Sequence, residues 1–144
     1  MTEDDTADVA AILRRTIESA KLARGGPAFA ERFGGLDTDD SLDSILRGLG
    51  TTHRGLIALL DGVTLGLCLW NDENGVRTVD LLFVEEEARE VGLGTALLHE
   101  AEVQARAAGS RRFEVLALPG DRLTKGRAES SGMKARLLVL SKEL

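Results

Sequence analysis

Two dipeptides limit what this chain can fold into more than any other feature. Asp61-Gly62 and Asn74-Gly75 each separate runs that are short and mostly aliphatic. Both are preferred centres of two-residue hairpin turns, where each central residue needs a positive φ. The runs they join, 55–60, 63–70 and 76–84, therefore read as three antiparallel strands in a meander. A meander has apolar faces that must be covered, and the flanking sequence has the periodicity of helices that do this.

Upstream, Asp5-Thr6-Ala7-Asp8 reads as a helix cap with an acidic residue three positions on. Val9, Leu13, Thr16, Ile17 and Ala20 then form one stripe at helical spacing, and Gly25-Gly26-Pro27 should end the helix. Residues 28–33 add a short helical turn. Ser41 opens another helix through Leu42, Ile45, Leu46 and Leu49.

Downstream, the third strand runs into an acidic turn, Glu85-Glu86-Glu87, and a glycine-bearing loop, Arg89-Glu90-Val91-Gly92-Leu93-Gly94-Thr95. The clearest helix of the chain follows, over about 92–108. Leu93, Leu97, Leu98, Ala101 and Ala105 fill one arc, and Thr95, His99, Glu102 and Arg106 the opposite one. A strand is predicted over 113–118. Pro119-Gly120-Asp121 opens a last helix that stops at Gly132, and a final strand is expected over 135–142. The reading is one α/β (α+β) domain over 1–144, with a mixed, mostly antiparallel sheet flanked by helices.

Composition narrows the partners. The 144 residues carry a net charge of −6, which argues against a general nucleic-acid binder. One cysteine, Cys68, cannot form an intrachain disulfide, in keeping with a reducing cytoplasm. No signal peptide or bilayer-spanning run is visible, so no membrane role is expected. His53 and His99 are isolated and support no metal site. Tyrosine is absent, so no Tyr of this chain can act as acid or base.

The glycine loop carries the chemistry. Backbone N–H groups at a helix start lack intrahelical partners and can hold a phosphate. Gly92 and Gly94 allow close backbone approach, and Arg89 adds positive charge. The spacing Arg-x-x-Gly-x-Gly after a strand suggests a coenzyme with a pyrophosphate, although glycines at a helix start also occur as simple turn chemistry. A Rossmann unit fits less well, because an antiparallel meander precedes the loop where a repeated parallel arrangement would begin.

With Val84 ending the strand and Arg89, Gly92 and Gly94 in place, the chain resembles the GNAT superfamily of acyl-CoA-dependent N-acetyltransferases. Ala117-Leu118-Pro119-Gly120-Asp121-Arg122 and Gly132-Met133-Lys134-Ala135-Arg136 look like the second half of one bacterial subgroup. The resemblance covers most of residues 54–144 and is only an outline before that. It implies acetyl-CoA as co-substrate and an amine acceptor. The backbone of Leu82, Phe83 and Val84 would pair with the pantetheine arm, and Arg89, Glu90, Val91, Gly92, Leu93, Gly94 and Thr95 would hold the pyrophosphate. The thioester would lie where the strands 76–84 and 113–118 splay apart.

Three positions depart from that pattern. Ala128 stands where the family often has a Tyr that protonates the CoA thiolate. Asp121 stands where an Asn usually bonds the coenzyme, and it also reads as a helix N-cap. The family's opening strand is short or missing, which leaves a sheet edge that a second copy of the chain would cover. Asp80, in an otherwise apolar strand near the expected cleft, is the candidate base, with burial expected to raise its pKa; a solvent-facing strand Asp is the alternative. Glu85, Glu86 and Glu87 read as a solvated turn, or as bait for a cationic acceptor. Arg122, Lys125 and Arg127 either approach coenzyme phosphates or solvate the last helix. Cys68 reads as packing, and Trp70 as core or acceptor-pocket lining. The rivals to a working transferase are a coenzyme-binding or regulatory module with a decayed cleft, and an interaction protein that keeps only the fold.

Overall fold

The computed structural model describes residues 3–22, 45–48, 54–140, 142 and 144. Helix α1 (Glu3–Leu22) leads to a helical turn at 45–48 and then to strands β1 (Arg54–Leu60), β2 (Val63–Glu73) and β3 (Val76–Val84). A 3-10 helix (Glu86–Val91) links β3 to helix α2 (Leu93–Ala107). Strand β4 (Arg112–Val115) and helix α3 (Arg122–Ser130) complete the regular elements. The sheet order is β1-β2-β3-β4, antiparallel except for the parallel β3–β4 pair. Both hairpin turns form as expected, with positive φ at Asp61, Gly62, Asn74 and Gly75.

The sheet is covered on both faces, so its central strand reads as a continuous apolar run. Leu67 and Leu69 of β2 pack with Val9, Ile12, Leu13 and Ile17 of α1 and with Ile45. Cys68 and Trp70, pointing the other way, pack with Leu97, Leu98 and Ala101 of α2. Opposite β2, Leu69 pairs with Leu81 and Trp70 with Val79, so Asp80 is an extra residue bulged out of β3. The bulge switches the alternation. Val79 faces α2, and beyond Asp80 it is Val84 that does, while Leu81 turns to α1.

Arg77 is buried beside this core. It makes a bidentate pair with Asp72 at 2.8 and 2.9 Å, donates to the Ala101 carbonyl at 3.3 Å, and lies 4.7 Å from the Trp70 ring centre. Among the described residues, no helix is long and apolar enough to cross a membrane.

Three expectations need correction. Helix α1 is already formed at Glu3, upstream of the cap expected at Asp5. The chain enters the helix two residues before the expected capping sequence, so Asp5 lies within the helix and is not its cap. The strand expected over 113–118 ends at Val115. Its last bond to β3 is Leu116 N–H to the Val79 carbonyl at 3.0 Å, after which the chain leaves the sheet. Residues 135–140 of the strand expected over 135–142 have no regular structure, because no described strand lies alongside to form a ladder. The helix stop at Gly25-Gly26-Pro27, the turn at 28–33, the Ser41 cap with Leu42 and Leu49, and His53 lie outside the described residues.

Candidate active site

The cleft arises where β3 and β4 part company. The ladder stops at Val79, the bulge falls on the next residue, and residues 80–84 continue without β4 beside them. A cavity of about 320 Å³ opens along this stretch. Its walls are Asp80, Leu81, Leu82, Phe83 and Val84 of β3, Thr16 and Ser19 of α1, Leu116 and Leu118 beyond β4, and the start of α3.

Asp80 lies at one end of this wall, 3% exposed, with one carboxylate oxygen accepting from Asn71 Nδ2 at 2.7 Å. The expectation of a solvent-facing strand Asp does not hold, because the bulge turns the residue inward. Arg89 lies on the wall as well, where its Nε donates to the Val84 carbonyl at 3.0 Å. That bond ties the 3-10 helix to the end of β3.

Gly92 ends the 3-10 helix and is the N-cap of α2, with φ 81° in the left-handed region. No side chain caps α2, whose first turn bond is Ala96 N–H to the Gly92 carbonyl at 3.0 Å. The first-turn N–H groups therefore point out of the helix end. Gly94 is buried beneath Arg127: a Cβ there would stand 2.5 Å from the guanidinium carbon. Arg127 is held below its ordinary pKa, chiefly by burial, with the Asp121 carboxylate opposing the shift and the Arg89 guanidinium adding to it. The Arg127 side chain thus lies over the α2 N-terminus, close enough to both groups to feel their charges.

Asp121 is the N-cap of α3, accepting from Thr124 N–H at 3.0 Å, and it also lines the cavity. A second cavity of about 370 Å³ shares Arg122, Leu123 and Arg127 with the first and adds Thr95, Gly126, Ser130 and Ser131.

Of the residues singled out in the sequence, Asp80, Leu82, Phe83, Val84, Arg89 and Asp121 come together on one cavity, and Thr95 lies on the adjoining one. Glu90, Val91 and Gly92 are exposed, and Leu93 packs against the second core. Lys125 lines neither cavity; its ammonium is 3.6 Å from Glu129. Glu85 pairs with Arg15 of α1, so it braces the turn, while Glu86 and Glu87 are exposed. Trp70 and Cys68 belong to the core, and burial pushes the Cys68 thiol up to about 12. Among the described residues, no His, Cys, Asp or Glu cluster could hold a metal ion.

Arg127 is the residue that sequence reasoning undervalued. The signal was its spacing four after Leu123, which puts both on the face of α3 turned to the cavity. Thr16 and Ser19 were also missed as wall residues, since Thr16 reads only as part of a buried stripe. Together the site offers a helix N-terminus and two guanidinium groups, equipment for a phosphate-bearing anion, next to an apolar wall that ends in a buried carboxylate.

The model of the Acetyltransferase (GNAT) family matches residues 27–122. No curated protein sequence matches the chain. Among solved structures, a Pyrococcus furiosus protein assigned as an acetyl transferase superposes with a TM-score of 0.72 at 23% identity, over 99% of this chain and 95% of its own. A ribosomal-protein-alanine N-acetyltransferase from Brucella melitensis biovar Abortus 2308 gives 0.70 at 16% identity, over 100% and 95%. An aminoglycoside N-acetyltransferase solved in complex with CoA gives 0.61 at 18% identity, over 82% and 85%. With that family's model matching more than half of its length, the chain belongs to the GNAT acetyltransferase family.

Proposed function

We propose that residues 1–144 form an acetyl-CoA-dependent N-acetyltransferase that acetylates a primary amine of a small molecule or peptide, working in the cytoplasm. The observation that carries this reading is the continuity of the cleft: Arg89 and Arg127 at the α2 N-terminus open onto the same cavity as Asp80 at the β3–β4 splay. Family membership supports the coenzyme, and structural relatives with 18% and 16% identity act on aminoglycosides and on a ribosomal-protein alanine. The segments 117–122 and 132–136 point to a bacterial subgroup of the family.

Acetyl-CoA supplies a thioester that a neutral amine attacks. On this reading the α2 N-terminus, Arg89 and Arg127 hold the pyrophosphate, with Gly92, Leu93, Gly94 and Thr95 giving backbone N–H groups. Leu82, Phe83 and Val84 align the pantetheine arm, and alignment itself removes much of the barrier. Asp80 takes the proton from the acceptor ammonium, and Asn71 fixes its orientation. Ala128 has no proton to give, so water protonates the departing thiolate.

The test is calorimetric titration with acetyl-CoA, followed by thiol release with a panel of amines. Micromolar binding is expected. Arg127→Ala should weaken it by about ten- to a hundredfold, the range for losing a charged hydrogen bond. Asp80→Asn should bind the coenzyme as before and lose most turnover near neutral pH. No binding at millimolar acetyl-CoA would sink the proposal. Tight binding with no thiol release for any amine would turn it into the coenzyme-binding module instead.

A further inference from the structure

The cavity between β3 and the start of α3 is lined from both faces of the sheet. Arg89 and Arg127 belong to the face that α2 covers: Ala88 packs there with Leu97 and Leu98, and Arg127 lies over Gly94. Thr16 and Ser19 come from α1, which covers the opposite face. A coenzyme anchored by its phosphates at the α2 N-terminus reaches the splay from the first face. The α1 side of the cavity is then left to the other substrate.

Thr16 is the polar exception on that side. It follows Ile12 by four residues and Leu13 by three, so it shares the buried face of α1 with Val9, Ile12, Leu13 and Ile17, all aliphatic. It is 4% exposed and still lines the cavity. Packing alone gives no reason for a hydroxyl here, since valine has nearly the same volume and needs no partner. A hydroxyl has one proton to donate and two lone pairs. The Thr16 proton goes to the Ile12 carbonyl of the same helix, at 2.7 Å. Among the described residues, no donor reaches the oxygen in return. What Thr16 offers the cavity is therefore a hydrogen-bond acceptor and no donor.

An attacking amine needs such a group. It carries N–H groups and must aim its lone pair at the thioester carbon, and an acceptor fixed on a helix can hold one N–H in that orientation. Asp80, on the same cavity, takes the proton that leaves. The amides of the coenzyme have the backbone of residues 82–84 to pair with.

We propose that Thr16 is an acceptor-binding residue whose Oγ1 receives a hydrogen bond from the reacting amine. Ser19, three residues on and exposed, meets the acceptor beyond its nitrogen. The inference rests on the transferase reading above.

The test follows thiol release with n-propylamine, 2-aminoethanol, putrescine and alaninamide, and carries the best of them to the variants. Thr16→Val keeps the volume and removes the acceptor. It should raise the KM for the amine about tenfold, as for loss of a hydrogen bond to a charged group, and change kcat little. Calorimetric affinity for acetyl-CoA and the circular dichroism spectrum should stay those of the wild type. Thr16→Ser, which restores the oxygen, should recover most of the loss. An unchanged amine KM in Thr16→Val overturns the inference, and so does an equal loss in Thr16→Ser, which would trace the effect to the methyl group. Weaker acetyl-CoA binding by Thr16→Val overturns it too, by giving the hydroxyl to the coenzyme. No thiol release by the wild type with any amine of the panel overturns it together with the transferase reading, so the two failures are told apart.

Discussion

Arg77 is the clearest case of one residue fixed by its surroundings. A guanidinium inside a core is tolerable only if its donors are met, and here Asp72 and the Ala101 carbonyl meet them. Removing one partner of such a pair strands a charge; Asp72 is 40% exposed, so water replaces part of what it supplies, and Asp72→Ala should cost about 2 kcal/mol in urea denaturation. Arg77→Met should cost less, because it removes the charge along with its need for a partner. A larger loss for Arg77→Met would contradict this account. Cys68 gives a pH-dependent counterpart. Burial raises the folded thiol from 9.0 to about 12, so the folded chain keeps its proton where the unfolded chain gives it up. The stabilisation is therefore complete below pH 9 and declines as pH rises towards 12. The wild type should lose up to about 1.4 kcal/mol per pH unit in that window from this group. Cys68→Ala should lack that slope, and denaturation at pH 8, 9.5 and 10.5 would show the difference.

Helix α3 is the element whose sequence and packing disagree most. Only Thr124 and Ala128 are buried, Leu123 is half exposed, and Gly126 sits mid-helix. A Cβ at Gly126 would meet nothing within 4 Å, so Gly126→Ala should stabilise the fold by up to about 1 kcal/mol through helix propensity alone. In the wild type, amides of α3 should exchange faster than those of α2, which buries Leu97, Leu98, Ala101 and Ala105. Equal protection would refute that. Elements like α2 and the two hairpins were legible because their signals are local: a 3.6-residue stripe, an Asp-Gly and an Asn-Gly. The loop from Arg89 to Gly94 was legible for the same reason. The bulge at Asp80 was not, since it depends on how β3 registers against β2 and no residue within β3 announces it. Arg127 over Gly94 was hidden likewise, because the contact joins two helices distant in sequence. The apolar run at 137–140 has a strand's composition, but a strand also needs a neighbour, which no local pattern specifies.

At the scale of the whole molecule, the sheet is stiff where it is covered and open where β3 and β4 diverge. The open part is bounded by α3, the helix with little burial of its own, so a ligand filling the cleft should steady the least anchored wall. Binding to the folded state alone raises stability by mass action, about 2.7 kcal/mol at a hundred times the dissociation constant. For a domain near this size that corresponds to a rise in melting temperature of roughly 5–10 °C with saturating acetyl-CoA. Arg127→Ala, if it weakens binding tenfold, should show about half the rise at the same concentration, because stabilisation follows the logarithm of the ratio of ligand concentration to dissociation constant. S-acetylpantetheine, which lacks the phosphates, should give a much smaller shift, since it leaves Arg89, Arg127 and the α2 N-terminus without an anion. The same ligand series followed by hydrogen exchange should slow α3 more than α2. A full thermal shift with S-acetylpantetheine would place the binding energy on the strand wall and remove the arginine pair from the account.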